Sequence, residues 1–342
     1  MATNVYFWAA DHAGCATYRC RWPAEMLNEM FGDEIEARYG TLMKPEDREW
    51  ADVVIGQRLV LPGPSMFWDQ WYRDGSKYLI TEFDDDLFSV DPDNIQASRV
   101  FNKSDVQHRL RANIIKSSVV TVSTEPLKDA IHRETGFPLD KIFVIPNAVD
   151  PGLLEDPLDR SQMDGAASLG WLASPTHEKD AKLVARHVKR FMETHPDASF
   201  QSIGADYGKI LGVPDERHEY SGWVSPPERA IRKMNYRIGI APLQGSTFNK
   251  SKSDCKFLEM GARKVAPLVS ATPSYSSVTH GVTGYAVRYE HDWGKALRNL
   301  HNDTAMQDAL AENAYEYVRD NRTTRSTAAL WREVILNQEA SS

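Results

Sequence analysis

Lys256 and Glu259 stand three residues apart at the end of the run Phe248-Asn-Lys-Ser-Lys-Ser-Asp-Cys-Lys-Phe-Leu-Glu259. Residues at that spacing share one face of a helix. The pair can therefore set an ammonium on a diphosphate and a carboxylate across the two hydroxyls of a ribose. An exposed Lys–Glu helix pair has the same spacing and is worth only a few tenths of a kcal/mol, and spacing alone favours that plainer reading. Ser251, with Asp254 three positions on, has the form of a capping box. It would open a helix running from Lys252 to Arg263, whose first free N–H groups and positive dipole end suit a phosphate.

A second candidate is Glu82-Phe-Asp-Asp-Asp86, directly after an apolar strand-like run. Asp84 and Asp86 could hold a divalent cation through hard oxygen ligands. One of them could instead orient or deprotonate an acceptor hydroxyl, or the run could be a solvated acidic turn that caps the next helix. With no third ligand set visible the metal ranks last, and the other two readings stand level. His177 lies in Ser174-Pro-Thr-His-Glu-Lys-Asp180, where Ser174, Thr176 and Asp180 read as capping chemistry. That favours a structural histidine over a ligand-binding one. The Asn249 amide either binds sugar hydroxyls or serves its turn. Gly14 permits close backbone approach, but without a G-x-G-x-x-G its loop does not read as a dinucleotide site.

These residues need elements to hold them. Tyr236–Ala241 and Ala266–Ser270 read as buried strands on either side of the expected helix, and in such units ligands sit at the carboxyl ends of the strands. Asn4–Ala10 reads as the first strand, followed by a loop at Asp11–Thr17 and an amphipathic helix over Tyr18–Met30, with Pro23 near its first turn or kinking it. Apolar runs follow at Ile35–Tyr39, Asp52–Gly56, Lys77–Thr81, Ser118–Val122 and Lys141–Ile145, and Thr124 with Pro126 marks a helix entry. The polar stretch Asp150–Asp164 reads as an unstructured boundary. Beyond it lie strands at Ser168–Ala173, Ala198–Ile203, His218–Gly222 and Tyr285–Val287, with a helix to about His195 after the first. Strands alternating with helices imply parallel sheets.

The 342 residues suit two domains. A net charge of -8 offers no global basic field for nucleic acid or an anionic membrane. Three cysteines without a Cys-x-x-Cys pair argue against a disulfide framework or structural zinc and fit a reducing cytosol. The amino terminus lacks the basic region of a secretory signal, and no apolar run approaches the roughly 20 residues of a membrane span. The tail Asn337–Ser342 reads as disordered.

Several stretches, in order, resemble retaining glycosyltransferases of the GT-B fold, and especially short, often phage-encoded members. Lys141-Ile-Phe-Val-Ile-Pro-Asn-Ala-Val-Asp150 resembles their hinge, with Val120–Glu125 before it. Leu169–Asp180 resembles the first strand and loop of the nucleotide domain, and Tyr220–Val224 the turn that meets the nucleobase. Phe248–Glu259, Val265–Ser270 and Gly281–Tyr285 resemble the donor-binding core. Ala10–Arg19 and Glu82–Phe88 resemble the corresponding runs of the short members. The resemblance covers nearly the whole chain, with one departure: where the family commonly has a first glutamate eight positions before the second, this chain has Ser251 before Glu259.

The resemblance implies an α/β protein of GT-B type, two Rossmann-like doubly wound parallel-sheet domains facing a central cleft. Residues 1–150 would form the acceptor domain, 151–165 a linker, 166–322 the nucleotide-sugar domain, and 323–342 a helix crossing back to the first domain. It implies transfer of a hexose-type sugar from a nucleoside-diphosphate sugar, a UDP-sugar being favoured, to an acceptor hydroxyl, with retention and without a metal. Donor contacts fall on Gly14, Ser174, His177, Gly222, Trp223, Val224, Asn249, Ser253, Lys256 and Glu259, with Lys179 a further candidate for the basic residues the family carries in that loop. Lys256 would stabilise the leaving diphosphate. Ala16, Thr17, Tyr18 and Arg19 would face the acceptor together with Asp84 and Asp86, although an arginine in a first helical turn is more often solvated. The acceptor could be a glycan, a protein or a modified nucleobase, and the place of action the cytoplasm, that of the host if the chain is phage-encoded. A sugar-nucleotide epimerase of related fold and a non-catalytic nucleotide-sugar binder are the alternatives.

Overall fold

The computed structural model describes residues 2–337, so the expected disordered tail lies outside the described residues apart from Asn337. The chain forms two compact units. Of the described residues, unit 1 holds those up to Ala148, the short segment Lys250–Ser253 and those from Thr324 on, while unit 2 holds Val149–Asn249 and Asp254–Thr323.

Unit 1 is built on six parallel strands: β1 (Thr3–Trp8), β2 (Ile35–Gly40), β3 (Val53–Gln57), β4 (Tyr78–Phe83), β5 (Val119–Val122) and β6 (Ile142–Val144). Their order is β2-β1-β3-β4-β5-β6, so the chain moves one way from β1 to β2 and then crosses back to β3. At such a reversal the loops after neighbouring strands diverge and leave a crevice at the carboxyl ends. β3 and β5 are buried at every position, as a parallel sheet covered on both faces requires. β4 runs further than its apolar pattern predicts, taking Glu82 and Phe83 into the strand. Thr124 caps its helix as expected, accepting from the Leu127 N–H at 3.2 Å.

The first helix departs from expectation. A short turn at Gly14–Ala16 and a π-helical stretch at Thr17–Arg21 precede the α-helix Trp22–Phe31, which takes Pro23 in its first turn. Pro23 has no N–H to give to the preceding turn, and the wider π turn absorbs the break, with the Trp22 N–H reaching the Thr17 carbonyl five residues back. The last helix, Thr324–Leu336, packs against Trp22–Phe31, and its Trp331, Val334 and Ile335 enter the same core as Val5, Phe7 and Ile55. Trp331 meets Phe7 edge-on at 5.5 Å.

Unit 2 carries β7 (Ala167–Ala173), β8 (Phe200–Gly204), β9 (His218–Gly222), β10 (Tyr236–Ala241), β11 (Ala266–Ser270) and β12 (Tyr285–Val287), again all parallel. The order β12-β11-β10-β7-β8-β9 is the Rossmann arrangement, with its reversal between β7 and β10. Trp171, Phe200, Ile238, Leu268 and Trp293 belong to one core. Gly170 is needed in β7 because a Cβ there would lie 2.1 Å from the Tyr236 ring. The stretch expected to be unstructured carries two 3₁₀ turns, Pro151–Leu154 and Arg160–Gln162, each started by an aspartate that accepts a backbone N–H.

Candidate functional site at the carboxyl ends of the strands

In unit 2 the two loops at the reversal are tied together by Asp180. This buried residue in the first turn of helix Glu178–Thr194 sets Oδ2 2.8 Å from His177 Nδ1 and accepts the Gln244 N–H on Oδ1 at 2.8 Å. Gln244 Nε2 donates back to the Lys179 carbonyl at 3.2 Å. Tyr207 braces the same loop from below: its hydroxyl donates to the Ser174 carbonyl at 2.6 Å and accepts the His177 N–H at 3.1 Å, with its ring stacked on Trp171 at 4.8 Å. Burial pushes the Tyr207 hydroxyl up to about 12, so it stays a neutral donor at physiological pH. Ser174 and Thr176 bond each other through their hydroxyls, and the N-caps in this loop make no side-chain bond. The expected capping role therefore gives way to a carboxylate bridge that orients the His177 ring.

Asn249 serves its turn. Its amide donates to the Gln244 carbonyl at 3.0 Å, its backbone N–H donates to Ser246 Oγ at 3.1 Å, and its carbonyl accepts from the Ser274 hydroxyl. β9 ends at Gly222, leaving Trp223 exposed and Val224 partly exposed beside it.

The helix bearing Lys256 and Glu259 spans Cys255–Ala262, three residues shorter at its start than expected. The Ser251–Asp254 capping box does not form. The Asp254 carboxylate is drawn to Arg322, whose two terminal nitrogens reach it at 2.9 and 2.6 Å, and to the Ser277 hydroxyl. With the Asp254 carboxylate at the N-cap compensated by Arg322, the cation this helix itself carries is Lys256. Lys256 Nζ lies 2.8 Å from Glu259 Oε2. Glu259 is only 5 % exposed, so this is no solvated surface pair. Phe257, Leu258 and Ala262 are buried, at 0 % exposure.

In unit 1, Ala16, Thr17 and Tyr18, expected on the acceptor side, are 5–6 % exposed, and Arg19, expected there or in solvent, is sealed in the core. Arg19, 1 % exposed, is a core cation: Nε meets Glu82 Oε1 at 2.6 Å and Nη1 donates to the Ile145 carbonyl at 2.6 Å and Asn147 Oδ1 at 3.0 Å. The guanidinium also lies 5.2 Å from the Trp331 ring centre. Glu82 is fully buried, and burial pushes its carboxyl up to about 7 against the pull of Arg19.

The acidic run is not a solvated turn. Asp86 has no exposure and accepts the Phe88 N–H at 3.1 Å, and burial raises its pKa. It holds the turn and has no surface to offer an acceptor. Asp84 is nearly buried, with Arg58 Nε 3.8 Å away, and Arg58 in turn binds Asp11 at 2.6 Å. Asp85 pairs with Lys252 at 3.1 Å. Among the described residues, the group of three ligand atoms within 4.8 Å of one another is that of Cys15, Asp84 and Asp85, and Asp86 of the D-x-D reading is not in it. Gly14, beside Cys15, has open space where a Cβ would go. Ser253, expected at the donor, belongs to unit 1 and accepts from Asn147 Nδ2 at 2.7 Å.

The other expected donor residues, Ser174, His177, Gly222 to Val224, Asn249, Lys256 and Glu259, belong to unit 2. Tyr207, Arg58 and Lys252 were not singled out from the sequence, and Asp180 was read only as capping chemistry. Only Asp180, three residues after His177 on a helical turn, carried a local signal for its role.

No family model and no curated protein matches the chain. Solved structures do. Sucrose-phosphate synthase of Thermosynechococcus elongatus superposes with a TM-score of 0.72 at 12% identity, covering 99% of this chain and 100% of that one. HepE of Anabaena, solved in complex with UDP-glucose, gives 0.67 at 11% identity with 100% of each chain covered. TarM gives 0.61 at 13% identity over 83% of this chain, which spans 54% of TarM. The fold is that of the GT-B glycosyltransferases, two units each built on a six-stranded parallel sheet.

Proposed function

We propose that the protein is a glycosyltransferase that moves a hexose-type sugar from a nucleoside-diphosphate sugar to an acceptor hydroxyl, with retention of configuration and without a metal. The observation that carries this reading is the Lys256–Glu259 pair, 2.8 Å apart with the carboxylate withdrawn from solvent, on the helix Cys255–Ala262 between β10 and β11 beside the reversal of a Rossmann sheet. HepE was solved with UDP-glucose, which supports a UDP-sugar as the donor.

In this account the base lies by Gly222, Trp223 and Val224, where the exposed indole offers a stacking face. Glu259 takes the ribose hydroxyls and Lys256 the diphosphate. Each side chain then gives up the other for a ligand group, an exchange helped by the fifth of the Lys256 side chain that water still reaches. As the glycosidic bond to the diphosphate breaks, negative charge grows on the leaving oxygens. The Lys256 ammonium stabilises that charge more than it stabilises the ground state, which is what lowers a barrier. Ser174 and His177, the latter held by Asp180, add polar contacts at the loop after β7. In unit 1, Asp84 orients or deprotonates the acceptor hydroxyl, whether that belongs to a glycan, a protein or a modified nucleobase. Three free cysteines suit a cytoplasmic site of action.

Incubation of the protein with UDP-glucose and other nucleotide sugars, without acceptor and with a chelator present, tests the reading. Slow release of UDP and free sugar, the sugar first appearing in the donor's anomeric configuration by NMR, is the expected result. A new sugar isomer would mark an epimerase, and tight binding with no turnover a non-catalytic binder.

A further inference from the structure

Lys252 sits in the four-residue segment Lys250–Ser253 that packs with unit 1. Both of its neighbours are held there. The Ser251 carbonyl accepts from Thr124 Oγ1 at 2.8 Å, and Ser253 Oγ accepts from Asn147 Nδ2 at 2.7 Å. Between these anchors Lys252 reaches in, with Nζ 3.1 Å from Asp85 Oδ1. Asp85 shares the Cys15–Asp84–Asp85 cluster, whose thiol and carboxylate spacing is one that a thiophilic divalent ion can bridge. Asp84 is 7 % exposed and its Oδ1 has no hydrogen-bond partner. The charged groups converging here are Asp11 after β1, Arg58 after β3, Glu82, Asp84 and Asp85 on and after β4, and Lys252.

We propose that the Lys252 ammonium is the resident cation of this cluster, standing in the electrostatic place of a divalent ion and holding Asp84 and Asp85 in register for the acceptor hydroxyl. Glu82 is paired with Arg19 at 2.6 Å, so two cations, Arg58 and Lys252, balance the remaining carboxylates of Asp11, Asp84 and Asp85 to within one charge. Without Lys252 the excess of negative charge doubles, next to a thiol that becomes a ligand once it loses its proton. Lys252 is a positioning residue acting through Asp85, so its part in transfer rests on the acceptor-side reading of Asp84. Its part as a cation does not.

The test is a cadmium titration of the full chain, read by the ultraviolet thiolate-to-cadmium charge-transfer band, with the Cys15 proton released to buffer. Lys252→Ala should bind Cd²⁺ tighter than the parent protein by about tenfold or more. Lys252→Arg should behave as the parent, and Cys15→Ser in the Lys252→Ala background should abolish the band. Equal binding by parent and Lys252→Ala, or no band in a Lys252→Ala protein whose circular dichroism is unchanged, overturns the proposal. A second arm follows sugar transfer, which Lys252→Ala should lower with UDP binding intact and Lys252→Arg should restore. If the cadmium arm holds while Asp84→Asn transfers sugar at the full rate, the acceptor-side reading falls and the resident cation stands.

Discussion

Each unit holds a basic–acidic pair near the carboxyl ends of its sheet, and the two pairs are nearly equal in length: Arg19–Glu82 at 2.6 Å in unit 1 and Lys256–Glu259 at 2.8 Å in unit 2. Their surroundings differ. Arg19 is sealed, with further bonds to the Ile145 carbonyl and Asn147 and with Trp331 beside it, so neither partner can leave without stranding a charge in the core. Lys256 keeps part of its side chain in water and can exchange its partner for a ligand. In the sequence only Lys256–Glu259 shows as a pair, while Arg19 stands as an acceptor-side candidate with its partner 63 residues away. Solvent access of the cation is what separates the structural pair from the exchangeable one.

The largest effect expected from this contrast is that of Arg19→Met. Breaking a buried pair by removing one partner costs about 3–5 kcal/mol, so denaturant unfolding at pH 8 should show a loss of that order. At pH 5 the loss should shrink, because Glu82 can take up a proton and shed its stranded charge. A change below about 1 kcal/mol at pH 8 would break the comparison.

The pH dependence of the parent protein sharpens it. The folded state keeps the Glu82 proton up to about pH 7, while the unfolded chain releases it near the ordinary 4.5. The contribution is therefore full below pH 4.5 and lost as pH rises through 7, on the order of 3 kcal/mol in all. Glu82→Gln should remove that component of the slope, and an unchanged slope in this variant would contradict the burial argument.

Lys256→Ala should contrast with Arg19→Met. A hydrogen bond to a charged group is worth about 1.5–3 kcal/mol, so UDP affinity by calorimetry should fall by about 10- to 100-fold. The loss of stability by denaturant unfolding should stay below that of Arg19→Met, at about 1–3 kcal/mol for the Glu259 carboxylate left without its partner. The smallest effect belongs to Asp180→Asn, which keeps an oxygen for the Gln244 N–H and loses the charge facing His177. About 0.5–1.5 kcal/mol of stability and a few-fold in UDP affinity are expected, measured by the same two methods.

Much of the fold was legible because parallel strands are buried apolar runs with polar ends. β10 at Tyr236–Ala241 and β11 at Ala266–Ser270 lie where their pattern placed them. The misreadings share a physical cause, partners distant in the chain. Asp254 has the spacing of a capping box after Ser251, but Arg322, 68 residues on, outcompetes the local bond. Arg19 looks like a solvated residue of a first helical turn until Glu82, 63 residues away, is folded beside it. The Asp180–Gln244 bridge spans 64 residues, so only its His177 half could be read locally.

The most direct test of the account is UDP binding by calorimetry to the parent protein, Lys256→Ala, Glu259→Ala and Asp84→Asn. The account predicts binding to the parent and to Asp84→Asn with the same affinity, and loss of about tenfold or more in each of the other two. Equal affinity in all four proteins, or none in any at saturating UDP, would contradict it and return the Lys256–Glu259 pair to a structural role.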